Sequence, residues 1–242
     1  MLIRNKKSFT RGMLLLISFI CLFVVILMPI FKLESGKMVT GLDFADDLFN
    51  RLSKGSSYFI PAIEERVKPL AGQQVSYTVT IKKAAAVPLV VEILQKAGAE
   101  ATAVDNKVSV KGDLGNILLR AVQVSDKMYF NDGAAVSKEY NTPNPLAVTS
   151  ALWQFLTPSI KELQKQGKIA DASVVDAVVR RAVETGHNFY SVEATKVSQN
   201  IVIMTALLVF YVVYTMWYGF AIFELFDGIG LTMKKSKIKQ EA

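Results

Sequence analysis

The chain has 242 residues, of which 51% are hydrophobic, with a formal net charge of +7, one histidine and one cysteine. A zinc site takes three or four His, Cys or carboxylate ligands, and a serine nucleophile needs a histidine with an orienting carboxylate. The single cysteine, Cys21, excludes a disulfide framework. We therefore expect no catalytic residue, no metal ion and no cofactor.

The positive charge lies mainly at the two ends of the chain. Residues 32–199 carry 20 Lys and Arg against 18 Asp and Glu, a net of +2, and the remaining residues carry 8 against 3, a net of +5. A nucleic-acid surface would need basic residues clustered on a folded domain. We therefore expect no nucleic-acid partner.

The first predicted element is a transmembrane helix over residues 13–31, after a tail of residues 1–12. These 19 residues are uncharged, and as a helix they reach roughly 28 Å, close to the hydrocarbon thickness of a bilayer. Pro29 falls in the last predicted turn. A cleavable signal peptide is the alternative, but its apolar region is usually shorter, at about 7 to 15 residues. The length predicts an uncleaved anchor.

Residues 32–74 are predicted to hold an amphipathic helix next to the membrane and a linker. Leu42, Leu48, Phe49 and Leu52 recur at the spacing of one helix face. The opposite face is acidic, whereas helices that lie on lipid headgroups usually carry basic residues. We expect this helix to pack on its own domain, and the four apolar residues are the candidate partner-binding face.

Residues 75–140 predict an α+β module. A strand at 75–81 and a helix at 84–99 precede a hairpin that turns at Asp105 and Asn106, and Asp113 is the predicted cap of the next helix. The order is β-α-β-β-α. A short strand at residues 135–137 would complete a ferredoxin-like module.

Residues 141–199 predict a helical segment after a loop at 141–145. One helix contains Pro158, a predicted kink or break, and the next is predicted to be capped by Asp171 and closed by Gly186. His187 follows that glycine. We interpret it as a solvated residue at a helix terminus.

The second transmembrane helix is predicted over residues 200–226. Its uncharged run, Ile201 to Phe223, has 23 residues and reaches roughly 34 Å as a helix. Four side chains are candidates for contacts with other helices inside the membrane: Tyr211, Tyr214, Trp217 and Glu224. Trp217 and Tyr214 also fit an aromatic belt at the headgroups. Glu224 is predicted to be interfacial and paired with Lys234 or Lys235, in preference to forming an ion pathway.

The basic residues predict the topology. Arg4, Lys6, Lys7 and Arg11 precede the first span, and Lys234, Lys235, Lys237 and Lys239 lie in the tail of residues 227–242. Basic flanks stay in the cytoplasm. Both termini are therefore expected in the cytoplasm, the domain between the spans in the periplasm, and the protein in a bacterial inner membrane. The tails are too short for an independent cytoplasmic domain.

These expectations favour a non-enzymatic binding or scaffold subunit of a bacterial envelope complex for transport, secretion or assembly. Its expected partners are the lipid bilayer and other membrane or envelope proteins, or further copies of itself as a homo-oligomer. The two-span layout also resembles that of polysaccharide chain-length regulators, whose extracytoplasmic domains oligomerise. The proline-rich motif of that family is missing from Ile201–Leu231. A small-ligand-binding extracytoplasmic sensor is the other alternative.

Overall fold

The computed structural model describes residues 3–231. The fold is mixed α+β and 69% helical, with a small sheet, which confirms the predicted class. Two compact units are present, and the division falls inside one helix. The helix-pair unit is the described part of residues 1–49 and 195–242, and the central unit is residues 50–194.

Two long helices dominate the helix-pair unit, α1 (Lys6–Leu27) and α10 (Val197–Gly228). α1 begins earlier than the predicted span because Asn5 caps it, accepting a hydrogen bond from the backbone N–H of Ser8. It ends at Leu27, so the predicted extension to residue 31 is wrong. The residue before a proline disfavours the helical conformation, and Met28 accordingly has φ −75° and ψ 142°.

Both helices are long and apolar enough to cross a membrane. At 22 and 32 residues they extend about 33 and 48 Å. A core helix of a water-soluble protein would bury an apolar face, but the buried residues are only Gly12 in α1 and Ala221 and Gly228 in α10. The prediction of two candidate spans is confirmed at this level.

Two shorter elements follow α1. Strands β1 (Phe31–Lys32) and β2 (Met38–Val39) form a small antiparallel hairpin. α2 (Gly41–Ser56) is the predicted amphipathic helix. Its first turn is closed by Thr40 and Asp43, whose side chains are hydrogen-bonded at 2.8 Å.

The sheet of the central unit has three antiparallel strands. These are β3 (Gln74–Thr80), β4 (Glu100–Val104) and β5 (Lys107–Asp113), in the order β3-β5-β4. β4 and β5 are joined by the predicted two-residue turn, in which Asp105 has a φ of 53°. Helix α4 (Val87–Lys96) connects β3 to β4. The predicted β-α-β-β-α order is therefore confirmed through α5 (Leu114–Tyr129), which Asp113 caps.

The predicted fourth strand at residues 135–137 is wrong. These residues lie in α6 (Gly133–Glu139), which starts where the Asp132 side chain accepts the backbone N–H of Ala135. Val136 is fully buried on that helix. The cap and the helical burial override the short apolar pattern, and the ferredoxin-like module is not confirmed.

The predicted helical segment forms α7 (Leu146–Lys165) and α8 (Ile169–Val178), then a π-helical turn (Val179–Val183) and α9 (Glu184–Asn188). α7 runs through Pro158, so the predicted break is wrong. Its turns on either side are held by buried residues, Phe155 and Leu163, which offset the hydrogen bond that proline removes.

Two predicted helix boundaries in this segment are also wrong. Asp171 lies inside α8, where its buried carboxylate accepts a hydrogen bond from Gln73 Nε2 at 2.5 Å. Gly186 lies inside α9 and does not end it. A glycine is needed there because a Cβ atom would lie 2.5 Å from the backbone oxygen of Ser125.

One hydrophobic core joins the α+β module and the helical segment. The ring of Tyr77 on β3 stacks on Phe155 of α7, with centroids 6.1 Å apart. α3 (Ile60–Val67) adds Ile63 to the same core. The helices therefore cover the sheet. Helices α7 and α9 also line the cavity described below.

Candidate functional site

The two long helices of the helix-pair unit are antiparallel. The backbone N–H groups of Arg4 and Asn5 donate to the carbonyl oxygen of Gly228 at 2.9 and 3.0 Å. Further along, the ring of Phe19 stacks on that of Tyr214 with centroids 4.3 Å apart. The start of α1 and the end of α10 therefore lie at the same end of the pair.

Small residues bring the two backbones together. A Cβ atom built on Gly12 would lie 2.7 Å from the backbone nitrogen of Leu225 and 3.0 Å from the carbonyl oxygen of Ala221. A Cβ atom on Gly228 would lie 2.7 Å from Cα of Phe9. Close approach at small residues is the usual way in which membrane helices gain van der Waals contact.

Two of the four predicted intramembrane residues lie in this helix contact. The indole Nε1–H of Trp217 donates to the carbonyl oxygen of Leu15 at 3.2 Å. Tyr214 stacks on Phe19, as described above. Tyr211 is 67% exposed, so it does not pack in the contact between the two helices.

Glu224, the fourth residue, lines an apolar groove on the side of the helix pair. The groove has a volume of about 440 Å³. Its other lining residues are Leu15, Val213, Met216, Trp217 and Phe220. Lys234 and Lys235, the predicted ion-pair partners of Glu224, lie outside the described residues.

The predicted partner-binding face of α2 is divided by burial. Leu48 and Leu52 are buried, whereas Leu42 is 56% and Phe49 is 39% exposed. The expectation that the helix packs with its apolar face agrees with the first two residues. Leu42 and Phe49 are the part of this face that a partner can reach.

Lys54, near the end of α2, connects the first residues of the central unit to its last residues by hydrogen bonds. Its buried ammonium group donates to Asn131 Oδ1 at 3.2 Å, and to the carbonyl oxygens of Phe189 and Val192 at 3.0 and 2.6 Å. Three donors thus meet three acceptors. Burial lowers the pKa of Lys54, and the Glu193 carboxylate opposes that change. The two chain connections of the unit therefore leave it side by side.

A cavity of about 310 Å³ lies between α7 and the π-turn with α9. Its lining residues are Thr149, Ser150, Trp153, Val183, Glu184, His187 and Asn188. His187 is half-buried there, so its interpretation as a solvated terminal residue is not what the structure shows. The ring Nδ1 atom lies 2.7 Å from Oγ1 of Thr149. Burial lowers the pKa of His187.

The hydroxyl of Thr149 orients this imidazole. Thr149 is fully buried, and its Oγ1 atom also lies 3.1 Å from the carbonyl oxygen of Leu146. A substrate cannot reach a hydroxyl without exposed surface, so this Thr–His contact lacks the accessible nucleophile of a hydrolase triad. Its role is to position the ring.

The spacing of the lining residues in the sequence is a pattern that could have predicted this cavity. Glu184, His187 and Asn188 follow the spacing of three and four residues, and so do Ser150 and Trp153 on α7, which places each set on one helix face. A π-turn directly precedes Glu184, and no pattern in the sequence predicts that turn. Such turns occur frequently at functional sites.

Residues 3–231 contain no group of three or more His, Cys, Asp or Glu side chains arranged to hold a metal ion. The expected absence of a metal or cofactor stays a prediction. No protein-family model, curated protein or solved structure significantly matches the chain.

Proposed function

We propose that this protein is a non-enzymatic subunit of a bacterial inner-membrane complex, with both termini in the cytoplasm and the central unit outside. It binds another membrane or envelope protein, or a second copy of itself. The observation that carries the proposal is that α10 presents polar groups among apolar side chains on two exposed faces, Tyr211 on one and Glu224 in its groove on another.

Polar side chains within a membrane-spanning segment favour association. A tyrosine hydroxyl or a carboxylate that faces lipid lacks the hydrogen bonds of water, and a neighbouring helix can supply them. α1 already contacts α10 through Trp217 and Tyr214. Within residues 3–231 no hydrogen bond joins the side chain of Tyr211 or Glu224 to α1, so each is available to a neighbouring helix.

The central unit supports a binding role in preference to catalysis. Its single histidine is held by a buried threonine, as described above. The alternative of a small-ligand-binding sensor is favoured by one specific observation, the cavity of about 310 Å³ beside that histidine. The leading version places recognition on the helix pair, and the sensor version places it in the central unit.

The proposed topology is tested by labelling single cysteines in a Cys21→Ser background. Val104 is 73% exposed beside the hairpin turn of the central unit, and Lys239 lies in the basic tail. A membrane-impermeant maleimide added to intact spheroplasts is expected to label Val104→Cys and not Lys239→Cys, because basic flanks remain inside. Labelling of Lys239→Cys alone would reverse the proposed orientation.

The proposed partner is tested by a photo-cross-linking amino acid at position 211. We expect it to join the chain to a second protein in intact membranes, because Tyr211 faces outward. The same amino acid at position 214 is the matched control, since that side chain packs on Phe19 and is expected to react within the chain. An adduct of twice the chain mass would identify a homo-oligomer. A monomer with only lipid adducts would contradict the proposal.

A further inference from the structure

The cavity beside His187 has an electrostatic character of its own. Glu184 is its only acidic lining residue, and no Lys or Arg side chain is among the residues that line it. Arg180 interacts with the Glu184 carboxylate from outside the cavity, where it is paired with Asp176. An anionic ligand inside the cavity would therefore meet a carboxylate and no lining cation, at a cost in free energy. The cavity favours a cation.

The indole of Trp153 reinforces this preference. Trp153 is 37% exposed at the cavity, and its Nε1–H group donates to Glu184 Oε1 at 3.0 Å. This hydrogen bond holds the carboxylate at the edge of the indole. Tryptophan provides the strongest aromatic face for a cation, and a carboxylate provides the strongest hydrogen bonds to one.

His187 adds a hydrogen-bond acceptor. The hydroxyl of Thr149 has one proton. It donates this proton to the carbonyl oxygen of Leu146, as threonine commonly does within a helix. The ring Nδ1–H group then donates to Thr149 Oγ1. In the neutral imidazole Nε2 is left with a lone pair, and among the described residues it has no hydrogen-bond partner.

The backbone that carries these groups is closely packed. The π-turn Val179–Val183 leads directly into Glu184, and Gly186 packs against the backbone of Ser125. Rigid positioning lowers the entropy that binding costs. A volume of about 310 Å³ is at the small end of ligand cavities, which suits a molecule of a few carbon atoms.

We propose that this cavity binds the primary ammonium group of a small aliphatic amine. The carboxylate of Glu184 and Nε2 of His187 accept its hydrogen bonds, with the Ser150 hydroxyl or the Asn188 amide oxygen as the third acceptor. The alkyl part lies on the indole of Trp153. This inference is independent of the proposed membrane partner and stands if no such partner exists.

The test uses three four-carbon probes titrated calorimetrically into the full-length protein in mild detergent. These are putrescine, which is a diamine, 1,4-butanediol, which is neutral, and succinate, which is anionic. Putrescine is expected to bind at one saturable site. Butanediol and succinate are expected to show no saturable binding at the same concentrations, because neither supplies a positive charge.

Two variants and a control assign the site. Glu184→Gln keeps the size of the side chain but loses its charge, and is expected to weaken putrescine binding about 10- to 100-fold, as for a lost charged hydrogen bond. Trp153→Leu is expected to weaken it several-fold. Glu100→Gln removes an exposed carboxylate that pairs with Lys111 on the sheet, outside the cavity, and should leave the affinity unchanged.

Three outcomes would overturn the proposal. The first is no saturable putrescine binding to the unmodified protein at millimolar concentration. The second is equal binding of butanediol, which would indicate a polyol site. The third is unchanged affinity in both Glu184→Gln and Trp153→Leu, which would place putrescine elsewhere on the chain. Circular dichroism of each variant confirms that a loss of binding is not a loss of fold.

Discussion

Replacing Gly12 by leucine is expected to separate α1 from α10. The new side chain would begin 2.7 Å from the backbone nitrogen of Leu225, and neither helix backbone can move aside without breaking the contacts around it. Overpacking of this kind costs about 1–3 kcal/mol, so we expect pairing to fall by about tenfold or more. A bismaleimide that joins Phe19→Cys to Tyr214→Cys, in the Cys21→Ser background, measures the pairing.

Gly219→Leu is the matched control for that experiment. A Cβ atom on Gly219 meets nothing within 4 Å, so a leucine there faces outward and cross-linking should persist. Cleavage at a protease site placed in the loop at 141–145 gives two fragments. They separate on a denaturing gel unless the bismaleimide cross-link joins them. Equal cross-linking in Gly12→Leu and Gly219→Leu would show that the close contact at Gly12 is not formed.

Replacing Gly186 by valine is expected to unfold the central unit at a much lower temperature. The first carbon of the side chain would lie 2.5 Å from the carbonyl oxygen of Ser125 and 3.0 Å from its Cα atom. Because α5 and α9 meet there through backbone, the change requires α9 to shift. We expect a loss of about 3 kcal/mol, which corresponds to roughly 6–12 °C in Tm for a unit of this size.

Asn188→Val is the control for this second prediction. It places the same side chain in the same short helix at an exposed position, where substitutions usually change stability by less than about 0.5 kcal/mol. Scanning calorimetry of the full-length variants in detergent measures both effects. A Gly186→Val melting temperature within about 2 °C of the control would contradict the close α5–α9 contact. A difference that small corresponds to a loss of roughly under 1 kcal/mol in the free energy of unfolding.

Regular patterns in the sequence predicted the local elements well. The alternation at 75–81, the turn at Asp105 and the cap at Asp113 each depend on residues next to one another, and all three are present in the structure. The two apolar runs predicted both long helices, because length and composition alone make them candidates to cross a membrane. The polar start of α1 was missed because the cap at Asn5, not hydropathy, decides where that helix begins.

The errors arose where tertiary contacts decide the outcome. Asp171 resembles a helix cap in the sequence, but its partner is Gln73, which is distant along the chain. Gly186 resembles a helix stop, but its lack of a side chain serves the contact with Ser125. The cavity depends on Thr149 and His187 being brought together from separate helices. Such pairings are not local, and spacing along one segment does not reveal them.

The antiparallel pairing of α1 with α10 also has a consequence for biosynthesis. A ribosome adds about 5–20 residues per second, so α10 is completed roughly ten seconds or more after α1. During that interval α1 cannot contact α10, and a single helix is compatible with a bilayer because its backbone is internally hydrogen-bonded. Every residue of the central core has been made before Trp217 meets Leu15. The contact between α1 and α10 therefore forms only after the whole central core has been synthesised.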